Sequence, residues 1–376
     1  MYKKIHILYD ARHMITHLLN KTGTGIYTVS IEVLKELSTR KKLNLQLYCD
    51  QKSKNELQKA LKKAPKNLRK LKIFDANDFE SIDVFFSTLK TFPIEIKNQP
   101  NIQKYLFLYD AIPLLHHEYW EGQDINWFFD MFQAINKNDF YFADSLSTQK
   151  DFIKYNMNIT KNNSMVVPLA ASDNFYHEKD DKKIKKVCKK YNIPTDKKYV
   201  FSLCTLEPRK NLIRSVKTFI EFIKKNNIDD MVYVLGGAHW DKFIGKLEKE
   251  IQDFGNYKDK IIRAGYVADE DLAVLYSGAK WFVYTSQYEG FGLPPLEAMK
   301  CGCPVITSNN SSLPEVVGDA GIMIDYDSDE QHIAAYEKYY FDENYRKEMA
   351  KKGYERSKQF SWDKTVNIII NEINKG

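Results

Sequence analysis

Glu289 and Glu297 stand eight positions apart in the run Glu289-Gly290-Phe291-Gly292-Leu293-Pro294-Pro295-Leu296-Glu297, the stretch of this chain with the clearest chemistry. Gly290 and Gly292 let the backbone turn tightly and offer bare N–H groups. Pro294 and Pro295 suit the opening turn of a helix, where a fixed φ helps and a missing N–H costs nothing. A helix N-terminus facing such a loop attracts anions. The spacing predicts Glu289 at the end of a strand and Glu297 in the first helical turn, so both carboxylates would accept hydroxyl hydrogen bonds beside a bound phosphate. That is a site for a sugar joined to a phosphate.

Other segments carry compatible chemistry. In Glu207-Pro208-Arg209-Lys210-Asn211 the adjacent cations suit a diphosphate, Arg209 through a bidentate fork and Lys210 as a point charge; an ordinary exposed basic pair is the plain alternative. The loop Lys21-Thr22-Gly23-Thr24-Gly25-Ile26 leads into a helix, and Gly23 and Gly25 permit a ligand to approach the backbone. It is not a dinucleotide fingerprint, since Thr28 occupies the third glycine position. Asp110 follows an apolar run, where it can face a ligand or simply cap a turn. Asp269-Glu270-Asp271, Asp325-Tyr326-Asp327 and Asp327-Ser328-Asp329 have the Asp-x-Asp pattern of some metal sites, but each reads first as a helix start or turn, so no metal ligand is assigned.

These residues need elements to hold them. Ile5–Tyr9, Leu43–Cys49, Leu71–Phe74, Ile82–Ser87, Tyr105–Tyr109, Phe140–Ala143 and Met165–Val167 read as strands, several apolar throughout, as in buried parallel sheet. Gly25–Leu37 reads as a helix from Ile26, Val29, Val33 and Leu37. After a polar stretch, Ala170–Lys183, read as the domain junction, the alternation restarts with strands at Tyr199–Cys204, Met231–Leu235, Ile261–Arg263, Trp281–Thr285, Pro304–Thr307 and Gly321–Ile324. Helices between them are expected at Leu212–Lys225, Lys242–Phe254, Asp269–Ser277 and Leu296–Lys300. The expected fold class is α/β, with two successive doubly wound parallel-sheet domains and the ligand in a cleft between them, beyond the carboxyl ends of the strands.

Composition agrees. A chain of 376 residues exceeds one ordinary core. Hydrophobic residues at 43%, charged residues at 28% and a mean hydropathy of -0.50 describe a globular protein. The apolar start Ile5–Tyr9 is too short for a signal peptide and reads as a first strand, so a cytoplasmic location is expected. Cys49, Cys188, Cys204, Cys301 and Cys303 form no Cys-x-x-Cys pair and are expected as reduced thiols. Of the net charge of +6, residues 1–173 hold +5, with 24 basic and 19 acidic residues. Within Lys52–Lys72 nine basic residues accompany a single acid, Glu56. This run is either a solvated helix face or a contact with an anionic membrane surface or lipid phosphate, the latter implying a peripheral position on the inner face of the plasma membrane. No nucleic-acid recognition signature is present.

Taken together, the two-carboxylate run, Glu207-Pro208-Arg209-Lys210-Asn211, Gly265-Tyr266-Val267 before an acidic helix start, Ser311-Ser312-Leu313-Pro314-Glu315-Val316 and Gly23-x-Gly25 resemble the family-four retaining glycosyltransferases of GT-B fold. The resemblance is strongest across residues 200–325. Asp10-Ala11-Arg12 followed by Thr22–Tyr27 is similar to the bacterial polysaccharide mannosyl- and rhamnosyltransferases. The resemblance implies an acceptor-binding domain over 1–172, a nucleotide-sugar donor domain over 173–358 and a helix over 359–376 crossing back to the first domain. It implies that Glu297 holds the ribose hydroxyls and Glu289 the donor-sugar hydroxyls. Backbone N–H groups of Phe291, Gly292 and Leu293 would lie against sugar and diphosphate, with Arg209 and Lys210 neutralising the leaving nucleotide. Tyr266 and Val267 would meet the base, Gly23 and Gly25 the diphosphate, and Asp110 the donor sugar or acceptor. Many members have His-Asp where this chain has Tyr109-Asp110.

The implied reaction is metal-independent transfer of a hexose, with GDP-mannose the expected donor and a glycan or lipid-linked acceptor, in surface polysaccharide synthesis. No cofactor is expected. No covalent nucleophile stands out, so same-face substitution is the favoured course. A nucleotide-sugar epimerase of the same fold and a catalytically silent glycan- or nucleotide-binding protein are the alternatives. The aromatic run Tyr119–Phe142 is core or an acceptor platform, and the apolar stripe Val366, Ile369, Ile370 and Ile373 is core.

Overall fold

Short runs rich in Val, Ile, Leu, Phe and Tyr leave no polar face for solvent, so they form strands only where helices cover both sides of a parallel sheet. A computed structural model of the chain, described for residues 4–20, 25–75, 79–120, 124–237 and 241–375, builds two such sheets. The chain divides into two units, one of Met1–Leu169 with Ser361–Gly376 and the other of Ala170–Phe360. Gly23 lies outside the described residues.

In the first unit the strands are β1 (Ile5–Asp10), β2 (Leu43–Tyr48), β3 (Lys72–Ile73), β4 (Val84–Ser87), β5 (Gln103–Leu108), β6 (Phe140–Ala143) and β7 (Ser164–Val166). Their order is β3-β2-β1-β4-β5-β6-β7, parallel throughout. The topological switch therefore falls between β1 and β4. One core layer gathers Phe85, Phe92, Leu106, Phe128, Phe152 and Ile159, so Phe128 of the aromatic run is core. Trp127 on the same helix, Asn126–Gln133, is 48% exposed.

The helix Gly25–Leu37 buries Val29, Val33 and Leu37 as its periodicity predicts. The last helix, Trp362–Ile373, packs against it through a stripe in which Val366, Ile369 and Ile373 are buried. Its start is held by the Ser361 hydroxyl, which accepts from Lys364 N at 3.2 Å, and by Asp363, 2.6 Å from Arg40.

The second unit has β8 (Lys198–Leu203), β9 (Met231–Gly236), β10 (Ile261–Gly265), β11 (Trp281–Tyr284), β12 (Val305–Ser308) and β13 (Ile322–Ile324). They run parallel in the order β10-β9-β8-β11-β12-β13, placing the switch between β8 and β11. Trp281, Phe219, Tyr233 and Tyr336 centre the core on one face of this sheet. The polar stretch expected as a junction belongs to this unit from Ala170 onward, and it passes into a helix, Asp181–Lys190, capped by Asp180. Two helices that the strand-by-strand reading left out, Asp329–Phe341 and Glu343–Ser357, close the unit.

All five cysteines are free thiols. Among the described residues no helix is long and apolar enough to cross a membrane. The basic run forms a helix, Lys54–Lys63, that buries Leu57, Ala60 and Leu61 and leaves Lys59, Lys62 and Lys63 exposed beside exposed Lys52, Lys66, Arg69, Lys70 and Lys72.

Candidate active site

In doubly wound sheets, ligands bind beyond the carboxyl ends of the strands where the order reverses, because the connections there diverge to opposite faces and leave a crevice. In the second unit those strands are β8 and β11. The segments that follow them, Glu207–Asn211 and Thr285–Gly292, contain Arg209, Lys210, Glu289, Phe291 and Gly292 of the residues singled out from the sequence.

They form a buried charge quartet. Lys210 Nζ lies 2.6 Å from Glu289 Oε1, and Arg209 Nη1 lies 3.0 Å from the same oxygen. Arg209 Nη2 pairs with Glu207 Oε1 at 2.6 Å, while its Nη1 donates to Tyr288 O at 2.5 Å. Lys210 also donates to the Tyr284 hydroxyl at 2.8 Å. Glu207, Lys210 and Glu289 are buried. Two cations and two carboxylates thus cancel, which is what permits burial. Burial works to raise the Glu289 carboxyl, but the Arg209 and Lys210 charges win and bring it down to about 2. Glu289 is therefore an anion near neutrality: an acceptor of hydroxyl hydrogen bonds, not a proton donor.

Two expectations about the glutamates need correction. Strand β11 ends at Tyr284, so Glu289 sits in the loop beyond it rather than at the strand end. The helix begins at Leu293 with Gly292 as its N-cap, which puts Glu297 in the second turn, not the first. The cause is local. Gly292 adopts φ +114°, where an L side chain is strained, and the helix starts directly on it with Pro294 and Pro295 in its first turn. Neither proline has an N–H, so the first-turn donors reduce to Gly292 and Leu293. Leu293 is half-buried, while Phe291 is buried with its ring edge-on to Phe360 at 6.0 Å.

Glu297 is half-buried, and its Oε2 accepts from the Tyr276 hydroxyl at 3.1 Å. Loss of solvent pushes its carboxyl up to about 7, against the lowering effect of that hydrogen bond. Two glutamates of the same short run thus have opposite environments. One faces two cations and the other one neutral hydroxyl.

The row of strand ends continues across the sheet. At the end of β10 Gly265 has φ +66°, and beyond it Tyr266 is 68% exposed and Val267 is buried. This turn is fastened from behind by Tyr191, whose hydroxyl accepts from Ala268 N at 3.0 Å and donates to Asp271 at 2.8 Å. Between it and the charge quartet, β9 ends in Gly236-Gly237, which sequence reasoning missed. A Cβ on Gly237 would stand 1.9 Å from Cys204 O, so only glycine lets the β8 and β9 ends approach this closely. The signal was present as a Gly-Gly pair ending an apolar run.

The remaining candidates lie elsewhere. Asp110, in the first unit beyond β5, accepts from Ile112 N at 2.9 Å, an Asx turn leading into the short helix Ile112–Leu115, whose N-cap is Ala111. Gly25 opens the helix Gly25–Leu37. Three of the Asp-x-Asp carboxylates are engaged with cations: Asp271 is 2.5 Å from Lys190, and Arg214 lies 2.5 Å from Asp327 and 2.6 Å from Asp329. Among the described residues no cluster has the make-up of a metal site.

The family model described as "Glycosyl transferases group 1" matches residues 183–356, the span that holds this whole row of loops. Over residues 183–356 the chain is thus similar to the group 1 glycosyl transferases. The O-antigen chain mannosyltransferase B of Escherichia coli is 37% identical over 173 residues, 46% of this chain and 45% of that protein. The serotype-specific mannosyltransferase WbdA of Escherichia coli is 29% identical over 266 residues, 70% of this chain and 32% of that protein. The chain thus spans less than half the length of these relatives. Anabaena HepE, whose crystal structure is a complex with UDP and glucose, superposes with a TM-score of 0.72 at 15% identity, covering 99% of this chain and 100% of that one. WaaG, a glycosyltransferase involved in lipopolysaccharide biosynthesis, gives 0.69 at 14% identity with 99% and 100% covered. The group 1 region therefore sits in a chain of GT-B fold, two doubly wound parallel-sheet units.

Proposed function

We propose that this protein is a retaining, metal-independent hexosyltransferase that moves mannose from GDP-mannose to a glycan or lipid-linked acceptor in surface polysaccharide synthesis. The observation that carries the reading is the buried Glu207–Arg209–Lys210–Glu289 quartet at the switch point of the group 1 region, beside a helix whose first-turn donors are Gly292 and Leu293. The mannosyltransferase names of the two Escherichia coli relatives support the choice of sugar.

In this reading the base lies along Tyr266 and Val267, the ribose hydroxyls on Glu297, and the diphosphate against the N–H groups of Phe291, Gly292 and Leu293. Gly25 is proposed to meet the diphosphate, and Asp110 the donor sugar or the acceptor. Two donors of the Lys210 ammonium are engaged by Glu289 and Tyr284, which leaves the third for a phosphate oxygen. The bond from the anomeric carbon to the diphosphate breaks as the acceptor oxygen bonds that carbon from the same face. The hydroxyl proton passes to the departing phosphate oxygen. Fixed cations and backbone dipoles stabilise the charge that develops there without a metal. Glu289, ionised, accepts hydrogen bonds from sugar hydroxyls and favours the positive charge of an oxocarbenium-like transition state.

Incubation with radiolabelled GDP-mannose, UDP-glucose and UDP-N-acetylglucosamine, with and without a lipid-linked oligosaccharide extract and with excess chelator, tests the reading. Mannose transfer that needs the extract and survives chelator is expected. A new nucleotide sugar formed without acceptor would instead identify an epimerase, and full dependence on added manganese would refute the metal-free mechanism. Lys52–Lys72 is proposed to rest on anionic lipid, since the exposed cations of this run form no ion pair among the described residues. Co-sedimentation with phosphatidylglycerol vesicles but not phosphatidylcholine vesicles, lost in a Lys59→Glu, Lys62→Glu, Lys63→Glu variant, is the expected result.

A further inference from the structure

The donor loop is held by a bracket whose far end lies at the last residues of the second unit. The bracket is the short helix Leu313–Val317. At its N-terminal end the Ser312 hydroxyl donates to Glu289 O at 3.0 Å and to Phe291 O at 2.7 Å, and Ser311 Oγ accepts from Glu289 N at 3.0 Å. Leu313 Cδ2 lies 2.8 Å from where a Cβ on Gly292 would stand, so the helix packs directly on the loop backbone. Residues 289–292 are therefore held by this helix as well as by the charge quartet.

A helix of five residues has too few internal bonds to hold itself. Its other end is held by Arg356, half-buried on the helix Glu343–Ser357. Arg356 Nε donates to Val316 O at 2.5 Å and Nη2 to Glu315 O at 2.7 Å. A planar guanidinium suits this place, since it bonds two adjacent carbonyls and puts positive charge at a helix C-terminus. Gly318 makes the room: it has φ +57°, and a Cβ there would lie 2.6 Å from Arg356 Cζ. Arg356 Cζ also sits 5.9 Å over the Phe360 ring, which in turn meets the edge of Phe291 at 6.0 Å. Two contacts thus lead from residues 356–360 to the donor loop, one through the helix and one through the rings. The chain passes to the first unit immediately after Phe360.

We infer that Arg356 and Phe360 are positioning residues for the reaction: they set the geometry of loop 289–292 without touching substrate, and they tie it to the point where the chain leaves the donor unit. This rests on the transferase reading for its effect on turnover, but not for its effect on the loop. Because the base and ribose are held by the Tyr266 turn and Glu297 in that reading, while the loop meets the diphosphate and the reacting sugar, a loosened loop should cost turnover more than donor affinity.

Hydrogen–deuterium exchange on the full chain, with donor kinetics, tests it. Arg356→Ala is expected to speed amide exchange across residues 286–293 at least tenfold while leaving β8 unchanged. It should lower kcat about tenfold with the donor KM within threefold. Arg356→Lys, which keeps the charge but loses the fork, should fall between, and Phe360→Leu should act in the same direction through the second contact. Unchanged exchange at 286–293 in a folded Arg356→Ala protein would overturn the inference. So would equal acceleration throughout the second unit, or a rise in KM alone. If the wild-type protein transfers no sugar, the exchange result alone decides, so failure of the brace and failure of the transferase reading are distinguishable. If Arg356→Ala does not fold, Phe360→Leu and Arg356→Lys decide by the same readouts.

Discussion

Glu297 should make nucleotide binding proton-linked near neutral pH. Its carboxyl is pushed up to about 7 in the free protein. Ribose hydroxyls donate to a carboxylate and gain little from a protonated acid, so binding selects the ionised form. With a pKa near 7, roughly one carboxyl in eleven is ionised at pH 6 and about ten in eleven at pH 8. GDP should therefore bind about tenfold more tightly at pH 8, or ~1.4 kcal/mol. Titration calorimetry at pH 6, 7 and 8 measures this, and buffers of different ionisation enthalpy should report roughly half a proton released per GDP bound at pH 7. The terminal phosphate of GDP titrates nearby, so Glu297→Gln, which carries the same ligand ionisation, isolates the protein's share. The Tyr276 hydroxyl stabilises the charged form, so Tyr276→Phe should shift the profile to higher pH. In the free protein the sign is opposite. A carboxyl whose pKa rises on folding contributes most stability below about 4.5, and that contribution is lost as pH rises through about 7. Identical pH profiles for wild type and Glu297→Gln would refute the assignment of Glu297 to the ribose.

Three further outcomes follow from the charge quartet and its loop. Glu289→Gln should lower kcat on the order of 100-fold while leaving GDP affinity within about threefold, because the carboxylate acts on sugar hydroxyls and transition-state charge; equal losses in both would remove that division of labour. The same group should set acid stability. Its carboxyl is lowered from 4.5 to about 2, so its contribution is present above about 4.5 and lost as pH falls through about 2. Urea melts of wild type and Glu289→Gln at pH 6 and pH 3 should show a gap on the order of 3 kcal/mol narrowing with acid. Gly292→Ala, forced to φ +114° and against Leu313, should cost about 1–3 kcal/mol and slow transfer, and unaltered thermal stability would show that the loop relaxes freely.

Much of the fold was legible because parallel strands buried on both faces must be written as unbroken apolar runs. The strands of both sheets appear in the sequence within a few residues of their observed bounds, β3 as only a two-residue pair. Other elements were hidden by composition. The lysine-rich helix Asp181–Lys190, which overlaps the end of the polar stretch Ala170–Lys183, was not expected, although Val187 and Cys188 are buried on it. The helix expected from Leu296 starts three residues earlier, at Leu293, with Pro294 and Pro295 in the opening turn that their fixed φ suits.

The residue types of the candidate site were determined by the sequence alone: two glutamates eight apart around glycines and prolines, and an Arg-Lys pair after a strand. Tertiary structure decided what each can do. Glu289 meets Arg209 and Lys210 only because β8 and β11 are neighbours, bringing together residues about eighty positions apart, and their charges hold it ionised. Glu297, from the same nine-residue run, is turned to a single hydroxyl and loses water without gaining a cation. Local spacing cannot separate these outcomes, because a pKa depends on which charges lie within a few ångströms in space and on how much solvent the fold excludes.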